Sequence, residues 1–333
     1  MSSVPPTSPM GGPQSPLATG QAAGVNPAAA VATPSQVVGA VRPLTVRAVE
    51  AAQADAAIRQ SGMGGLLADA EPALASRTLP TAIKAAVQQL VRFGISTGAP
   101  PDGAALRAAV ARSGLFLEAQ LAQTPNAPPR DMKAALLILQ QALVMAGAAG
   151  GLRATKAPAP PPTRGGAVAP QAARVALLRA DDAPEYQLAT LREETEQALA
   201  RQALHQLASL PDEAGGARWM FELPVATPQG AAVAQFAIER DAPEDTGSAE
   251  RPAPTWRARF ALDIPPLGPV HAHLRLKDGR CGAVLWVEDA ASFAWLQAQA
   301  GGLAGTLGGD VTVRPGPPPA PPPPPGRLVD RTS

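Results

Sequence analysis

Apolar and polar side chains alternate along two runs near the carboxyl end of the chain. The apolar positions of the first run are Trp256, Ala258, Phe260 and Leu262, and its polar positions are Arg257, Arg259 and Asp263. The apolar positions of the second run are Val270, Ala272, Leu274 and Leu276, and its polar positions are His271, His273 and Arg275. A period of two is typical of a strand with one buried face, so each run predicts a strand. The segment PPLGPV at residues 265–270 joins them, and we interpret it as a corner.

A hairpin follows the second run. Asp278 and Gly279 form a turn signal, and residues 281–288 are predicted to return as a strand. Counting back from the turn pairs Leu276 with Cys281, Leu274 with Ala283 and Ala272 with Leu285. This register is self-consistent because it puts the apolar side chains of both strands on the same face.

A helix is predicted after the hairpin, with Asp289 or Ser292 as its N-cap. Its apolar stripe, at spacings of three and four, is Phe293, Leu296, Ala300, Leu303 and Leu307. We expect this stripe to cover the sheet. Gly308 and Gly309 end the helix, and residues 310–314 are predicted to form a short closing strand.

The upstream half of the chain shows helical periodicity. Apolar positions recur at helical spacing in residues 83–91, 106–110 and 115–121, and again in residues 136–144. Asp102 and Asp131 stand where the second and the last of these helices need an N-cap. Short helices of this kind predict a small bundle.

A longer helix and two strands follow the bundle. The helix spans about residues 186–210 and ends at Pro211, with Leu188, Leu191, Leu199, Ala203 and Leu207 as its predicted inner face. Residues 219–225 and 232–240 are strand candidates, joined by a turn at residues 228–230.

Proline and glycine divide the chain, because 39 prolines and 31 glycines are concentrated in particular stretches. The predicted class is α+β: a small helical N-terminal region, a C-terminal domain of mainly antiparallel strands with packed helices, and disordered proline-rich tails. Residues 1–41 should be disordered, with a weakly amphipathic helix at 44–58. The predicted segments are a disordered or weakly helical region at 1–72, a helical domain at 73–149, a Pro/Gly-rich linker at 150–182, an α/β domain at 183–314 with its core at 256–314, and a polyproline tail at 315–333.

Charge and cysteine content exclude several function classes. A net charge of +1 gives no electrostatic reason to bind nucleic acid or an anionic membrane. A single cysteine, Cys281, excludes an intramolecular disulfide and a cysteine-based zinc finger. The first residues lack the basic and apolar regions of a signal peptide. The longest apolar stretch, residues 134–149, is interrupted by Gln140 and Gln141, so we predict a buried helix and no membrane insertion.

Few side chains are candidates for chemistry. His271 and His273 lie two apart on one strand face, which suits a metal but leaves a ligand missing. The register puts them opposite Trp286 and Val284, and we favour this cross-strand packing over metal binding. His205 is expected to be structural or at the surface. The acidic run of Glu193, Glu194 and Glu196 is expected to be solvated. No catalytic fingerprint is present, so we predict no enzyme, no metal and no cofactor.

The polar face of the predicted hairpin raises one further possibility. It would expose Val284 and Trp286 unless the helix at 186–210 or the strands at 219–240 cover them. The simpler alternative is that one of these elements covers Val284 and Trp286. The other alternative is that the two residues form a partner-binding patch. The polyproline tail is either a spacer or a ligand for an aromatic groove.

The order of strand, corner, strand, turn, strand, helix and short strand resembles the C-terminal domain of flagellar hook-length control proteins. Three upstream runs resemble the middle of the same family: SGLFLEAQLA at 113–122, ALHQLASLPD at 203–212 and RWMFELPV at 218–225. Asp131, Lys133 and residues 134–137 belong to the same upstream pattern. The resemblance covers roughly residues 79–314.

The resemblance implies a function. Members are cytoplasmic before export and leave through the flagellar type III apparatus. Their C-terminal domain contacts the cytoplasmic domain of the export-gate switch protein, which changes export from hook-type to filament-type subunits. Their N-terminal half meets hook and hook-cap subunits. Residues 1–72 would then be the export region, and residues 183–314 the switch domain of a monomer.

Candidate contact residues are those of the corner and of the second sheet face: Pro266, Leu267, Gly268, Val270, Val284 and Trp286. The alternative function is a proline-rich protein–protein interaction scaffold without enzymatic activity. A third class is a hydrolase with an unrecognised motif.

Overall fold

A computed structural model describes residues 34–96, 98, 101–124, 130–150, 160–211, 216–242 and 253–320. Its helices are α1 (Pro34–Arg59), α2 (Gly64–Ala68), α3 (Ala70–Ala75), α4 (Thr81–Val91), α5 (Gly103–Ala111), α6 (Leu117–Gln123), α7 (Met132–Met145), α8 (Pro184–Ala208) and α9 (Ala290–Leu307). Its strands are β1 (Ile95–Ser96), β2 (Ala217–Thr227), β3 (Gly230–Arg240), β4 (Trp256–Ile264), β5 (Gly268–Lys277), β6 (Arg280–Val287) and β7 (Val311–Pro315).

The strands form one sheet in the order β1-β2-β3-β4-β5-β6-β7. Strands β2 to β6 pair antiparallel, and the outer pairs β1–β2 and β6–β7 are parallel. This confirms the predicted α+β class with mainly antiparallel strands. Strand β1 was not predicted, because its two residues carry no periodicity.

The C-terminal hairpin has the predicted register. Leu276 pairs with Cys281, Leu274 with Ala283 and Ala272 with Leu285. The corner is the turn of a second hairpin, since β4 and β5 pair from Ile264 and Gly268 outwards. Every apolar position of the two alternating runs therefore points to one side of the sheet.

Helix α9 covers that side over the last strands. The side chain of Asp289 accepts a hydrogen bond from the Ser292 amide, so Asp289 is the N-cap, and Gly308 ends the helix with a left-handed φ of 64°. Leu296 packs against Val287 and Val313. The residues half-buried around this cluster are Val270, Leu285, Phe293 and Ala300. The predicted covering of the sheet is confirmed.

Helix α8 covers the opposite side of the sheet, over β2 and β3. Ala208 of α8 lies in a buried cluster with Met220, Ala237 and Ala261. The two long helices thus pack on opposite faces and at opposite ends of one sheet. Helix α9 does not cover the face on which α8 packs, and α8 does not cover the face on which α9 packs.

The predicted inner face of α8 was only partly right. Leu191 is fully buried, but much of the buried surface of this helix is polar. The buried polar side chains include Gln187, Glu193, Thr195, Arg201, Gln202 and His205. The acidic run was predicted to be solvated, and this is wrong for Glu193, which is buried, and for the carboxyl of Glu194. Hydrogen bonds compensate for the burial of Gln187, Thr195, Arg201 and Gln202, whereas the His205 ring nitrogens make no hydrogen bond in the described residues. Hydrophobic periodicity gives no signal for such buried polar groups.

The helical region has its own buried centre. Helix α7 packs against α4 and α8, and its N-cap Asp131 accepts from the amides of Lys133 and Ala134. Asp102 caps α5 by accepting from the Ala105 amide. Both predicted caps and the predicted helical region are confirmed. Members of the main cluster include Leu66, Ile83, Leu90, Leu136, Leu139, Leu191 and Val233.

The described residues from 47 onwards form one compact unit, and those before residue 47 belong to another. The main cluster joins α7, α8 and β3, which lie on both sides of the predicted linker at 150–182. The predicted domain boundaries remain predictions. Helix α1 begins at Pro34, earlier than the helix predicted from residue 44. The predicted disorder at residues 1–33 and 321–333 concerns segments outside the described residues. Among the described helices, none is both long enough and apolar enough to cross a bilayer.

Candidate functional site

One face of strands β5–β7 has no helix packed on it in the described part of the chain. Because α9 lies on the other side, the register alone determines which side chains reach this face. We call it the open face and define it by Arg257, Arg259, His273, Arg275, Gly282, Val284 and Thr312. Arg275 and Thr312 are exposed, and Gly282 and Val284 are half-buried.

The open face is arranged in rows across the strands. Arg257 pairs with Arg275, which pairs with Gly282. In the next row, Arg259 pairs with His273, followed by Val284 and Thr312. The long cationic side chains therefore stand on β4 and β5, and the small residues stand on β6.

This difference in side-chain length leaves a cavity of about 340 Å³. Its lining includes the arginines on one side, Gly282 and Val284 at its floor, and Asp310 and Thr312 of the β7 end on the other side. A Cβ placed on Gly282 would meet no atom within 4 Å. The space that a side chain would occupy at that position is thus part of the cavity.

Two of the three arginines have carboxylate partners. Arg257 donates to both oxygens of Asp241, at 2.6 and 2.9 Å. Arg259 donates to Glu239 at 2.7 Å and to the Gly166 carbonyl at 3.3 Å. The side chain of Arg275 makes no hydrogen bond or ion pair within the residues that the structure describes.

The pKa values of both histidines on this face are lowered. Burial lowers the pKa of His273, and the nearby Arg259 charge lowers it further. Burial also lowers the pKa of His271, against a small opposing effect of Glu288. No group of three His, Cys, Asp or Glu side chains in the described residues is placed to hold a metal ion. The cross-strand pairs predicted for both histidines are confirmed.

Trp286 is buried, with 7% of its surface exposed, although no helix among the described residues packs on this face. The ring of His273 lies 4.5 Å from the Trp286 ring, and the Arg314 guanidinium lies 6.0 Å from it. The neighbouring side chains of His273 and Arg314 therefore contribute to burying Trp286. The sequence suggested instead the helix at 186–210 or the strands at 219–240 for this role. Val284 stays half-exposed in the cavity floor.

The candidate residues of the corner lie elsewhere. Pro266 is exposed, and Leu267 and Gly268 are half-buried at the end of the sheet. The Pro265–Pro266 peptide is cis, and Gly268 has a φ of +69°. Val270 faces α9 on the other side of the sheet. The structure thus brings together Val284 and Trp286, and separately Pro266, Leu267 and Gly268, but it does not form one surface from all six candidates.

The opposite face has an exposed apolar patch of its own, beyond the area that α9 covers. Trp256 is 36% exposed and Leu276 is 42% exposed, and the Trp256 ring stacks on Trp219 at 5.9 Å. An apolar cavity of about 320 Å³ lies beside them, near Ile238 and Cys281. Cys281 faces this side, as predicted.

Sequence reasoning missed the arginines and Gly282 as site residues. The signal was present, because Arg257, Arg259 and Arg275 are the polar positions of the alternating runs. An isolated glycine inside a strand is a further signal of close approach by another group. Only the pairing of three strands shows that these residues surround one cavity.

Comparison with known families gives one match. Residues 244–310 match the family described as flagellar hook-length control protein FliK. The matched range includes the corner, β4 to β6 and α9, and it confirms the resemblance of the C-terminal segment to this family. The upstream runs at 113–122, 203–212 and 218–225 lie outside the matched range, so their resemblance remains a prediction. No curated protein and no solved structure matches the chain. The family is one of flagellar hook-length control, and its description names no catalytic activity.

Proposed function

We propose that this chain controls flagellar hook length as an exported type III substrate, and that its C-terminal sheet contacts the cytoplasmic domain of the export-gate switch protein. That contact changes export from hook-type to filament-type subunits. The supporting observation is the family match over residues 244–310, which falls on the strands that carry the open face.

The open face supplies the surface for this contact. It carries a free cation at Arg275, a half-exposed apolar side chain at Val284, and no covering helix in the described residues. Such a mixed polar and apolar patch suits a transient protein interface. The corner residues Pro266, Leu267 and Gly268 lie at the end of the same strands and extend the surface.

The remaining parts of the chain have roles in the same proposal. Residues 1–72 enter the export channel first, and the N-terminal half meets hook and hook-cap subunits. The protein is a cytoplasmic monomer before export and acts by binding, without catalysis, metal or cofactor. Residues 183–314 are the switch domain, and residues 150–182 link it to the helical domain.

Deletion of residues 257–316 tests this function. We expect over-long hooks and few or no filaments, because the exporter never receives the switching contact. An immunoblot of cells and medium must show that the shortened chain is made and exported. Hooks of normal length bearing filaments would contradict the assignment and favour a proline-rich interaction scaffold.

A further inference from the structure

The cavity of the open face is polarised from one wall to the other. Arg257, Arg259 and Arg275 line one wall, and Asp310 and Thr312 line the opposite wall. Gly282 and Val284 form a floor between them. The cavity thus offers cations, an apolar floor and hydrogen-bonding groups to one ligand.

One arginine of the wall has no carboxylate partner among the described residues. Asp241 pairs with Arg257, and Glu239 pairs with both Arg259 and Arg218, which leaves Arg275 without a partner there. A carboxylate placed against Arg275 would accept two parallel hydrogen bonds.

Gly282 is not explained by the fold. A glycine inside a strand lowers stability, yet a Cβ here would meet nothing within 4 Å and no positive φ requires glycine. Because glycine has no side chain, this position leaves space in the cavity beside Arg275. This suits the close approach of another chain.

We propose that this cavity is the docking site for an extended acidic segment of a partner protein. A carboxylate of the segment pairs with Arg275 above Gly282, and a neighbouring apolar side chain rests on Val284. Because the Asp310 carboxylate in the opposite wall is negatively charged, it disfavours a ligand that carries negative charge along its whole length. It can instead accept a hydrogen bond from the segment. The site stands on its own geometry, and only the identity of the partner rests on the proposed function.

The first experiment titrates the full-length chain with a short peptide of alternating Glu and Val, followed by amide NMR. We expect shifts at Gly282 and Arg275, and none with the matching Lys–Val peptide. Arg275→Glu should weaken binding about five- to tenfold. Lys277→Glu, which makes the same charge change beyond the cavity, should change it less than about twofold.

Gly282→Leu fills the floor without touching a charge. It should abolish the peptide shifts while the melting temperature stays unchanged. Equal peptide binding by the wild type, Arg275→Glu and Gly282→Leu would overturn the inference. Tighter binding of a single-stranded oligonucleotide than of the peptide in this cavity would overturn it as well.

A second titration uses the purified cytoplasmic domain of the export-gate switch protein. If the peptide binds in the cavity but this domain does not bind the chain, the proposed function fails and the docking site stands. If the domain binds the wild type, Arg275→Glu and Gly282→Leu equally well, the proposed function stands and the docking site is wrong. We expect both variants to lose affinity for the domain.

Discussion

The two halves of the sheet are stabilised in different ways. Over β2 and β3, helix α8 contributes many buried polar side chains beside the apolar contact of Ala208, whereas over β5–β7 helix α9 packs through an apolar cluster centred on Leu296, Val287 and Val313. The first half therefore has demanding hydrogen-bond geometry, and the second has a simple apolar contact on one face and a free polar face on the other. The comparison suggests that the first half serves as a rigid support and the second half as the binding surface.

The support centres on one buried ion pair. Arg201 of α8 donates through Nε to Glu222 of β2 at 2.6 Å, and both side chains are almost fully buried. Arg201 also donates to Gln60 at 2.6 Å, and Gln171 donates to Glu222 at 2.5 Å. His205 lies beside this pair, and burial lowers its pKa to about 4, so it is neutral at physiological pH.

The largest effect is expected for Glu222→Ala. It leaves the Arg201 charge buried without its carboxylate, which should lower the free energy of unfolding by about 3 to 5 kcal/mol. Chemical denaturation measures this. The matched control is Asp241→Ala, which removes the more exposed partner of Arg257 and should lose less than about 1 kcal/mol. Similar losses in both variants would remove the distinction between the two halves.

Gly268→Val should have the next largest effect. The φ of +69° at Gly268 suits glycine and strains a β-branched residue, so we expect a loss of about 1 to 3 kcal/mol. Hook switching should fail with it, because the strand after the corner is misplaced. Gly282→Val is the control, since it meets open space without a positive φ, and it should stay within about 0.5 kcal/mol of the wild type. Unchanged melting and switching of Gly268→Val would refute the strain argument.

Glu194→Gln should stabilise the protein. Burial and the neighbouring Asp69 raise the pKa of Glu194 to about 9, from an ordinary value of 4.5. The folded state then binds a proton that the unfolded state releases, so this group lowers stability progressively as pH rises from 4.5 to 9.

Gln keeps a donor for Asp69 without the ionisation, so Glu194→Gln should gain about 1 to 2 kcal/mol at pH 8 and flatten the pH dependence of unfolding. Glu196→Gln, in a half-exposed pair with Arg192, should leave the pH dependence as it is. A parallel pH dependence in the wild type and Glu194→Gln would contradict the assignment.

The smallest effect is expected for His273→Ala. The variant loses the contact between the His273 and Trp286 rings, which should lower stability by about 0.5 to 1 kcal/mol. Thermal melting checks this. A metal bound by the wild type and lost in the variant would show that His273 is a ligand.

The sequence predicted the C-terminal half better than the first half, for a physical reason. Strands β4 to β6 and helix α9 follow simple periodicity, so their register and the cap at Asp289 could be read directly. Helix α8 buries Arg201 and His205, which are usually exposed, and only the tertiary partner Glu222 shows why. The burial of the Glu194 carboxyl was missed for the same reason.

The candidate site was predicted in part. Val284 was identified because it alternates onto the second face, and it does line the cavity. The alternation of apolar and polar residues assigns Val270 to the side of the sheet that α9 covers. Its position at the end of the corner made it a contact candidate instead. The cavity itself depends on the pairing of Arg257, Arg275 and Gly282 across three strands. No local sequence pattern predicts that these three residues are neighbours.

One measurement tests the central claim, that the open face contacts the switch protein and the apolar patch near Trp256 does not. A photoreactive amino acid is placed in turn at Lys277 and at Leu276, which are adjacent and exposed and point to opposite faces of β5. Cross-linking is then carried out in cells that express the switch protein. We predict a cross-link to its cytoplasmic domain from position 277 and none from position 276. A cross-link from position 276 alone would contradict the account.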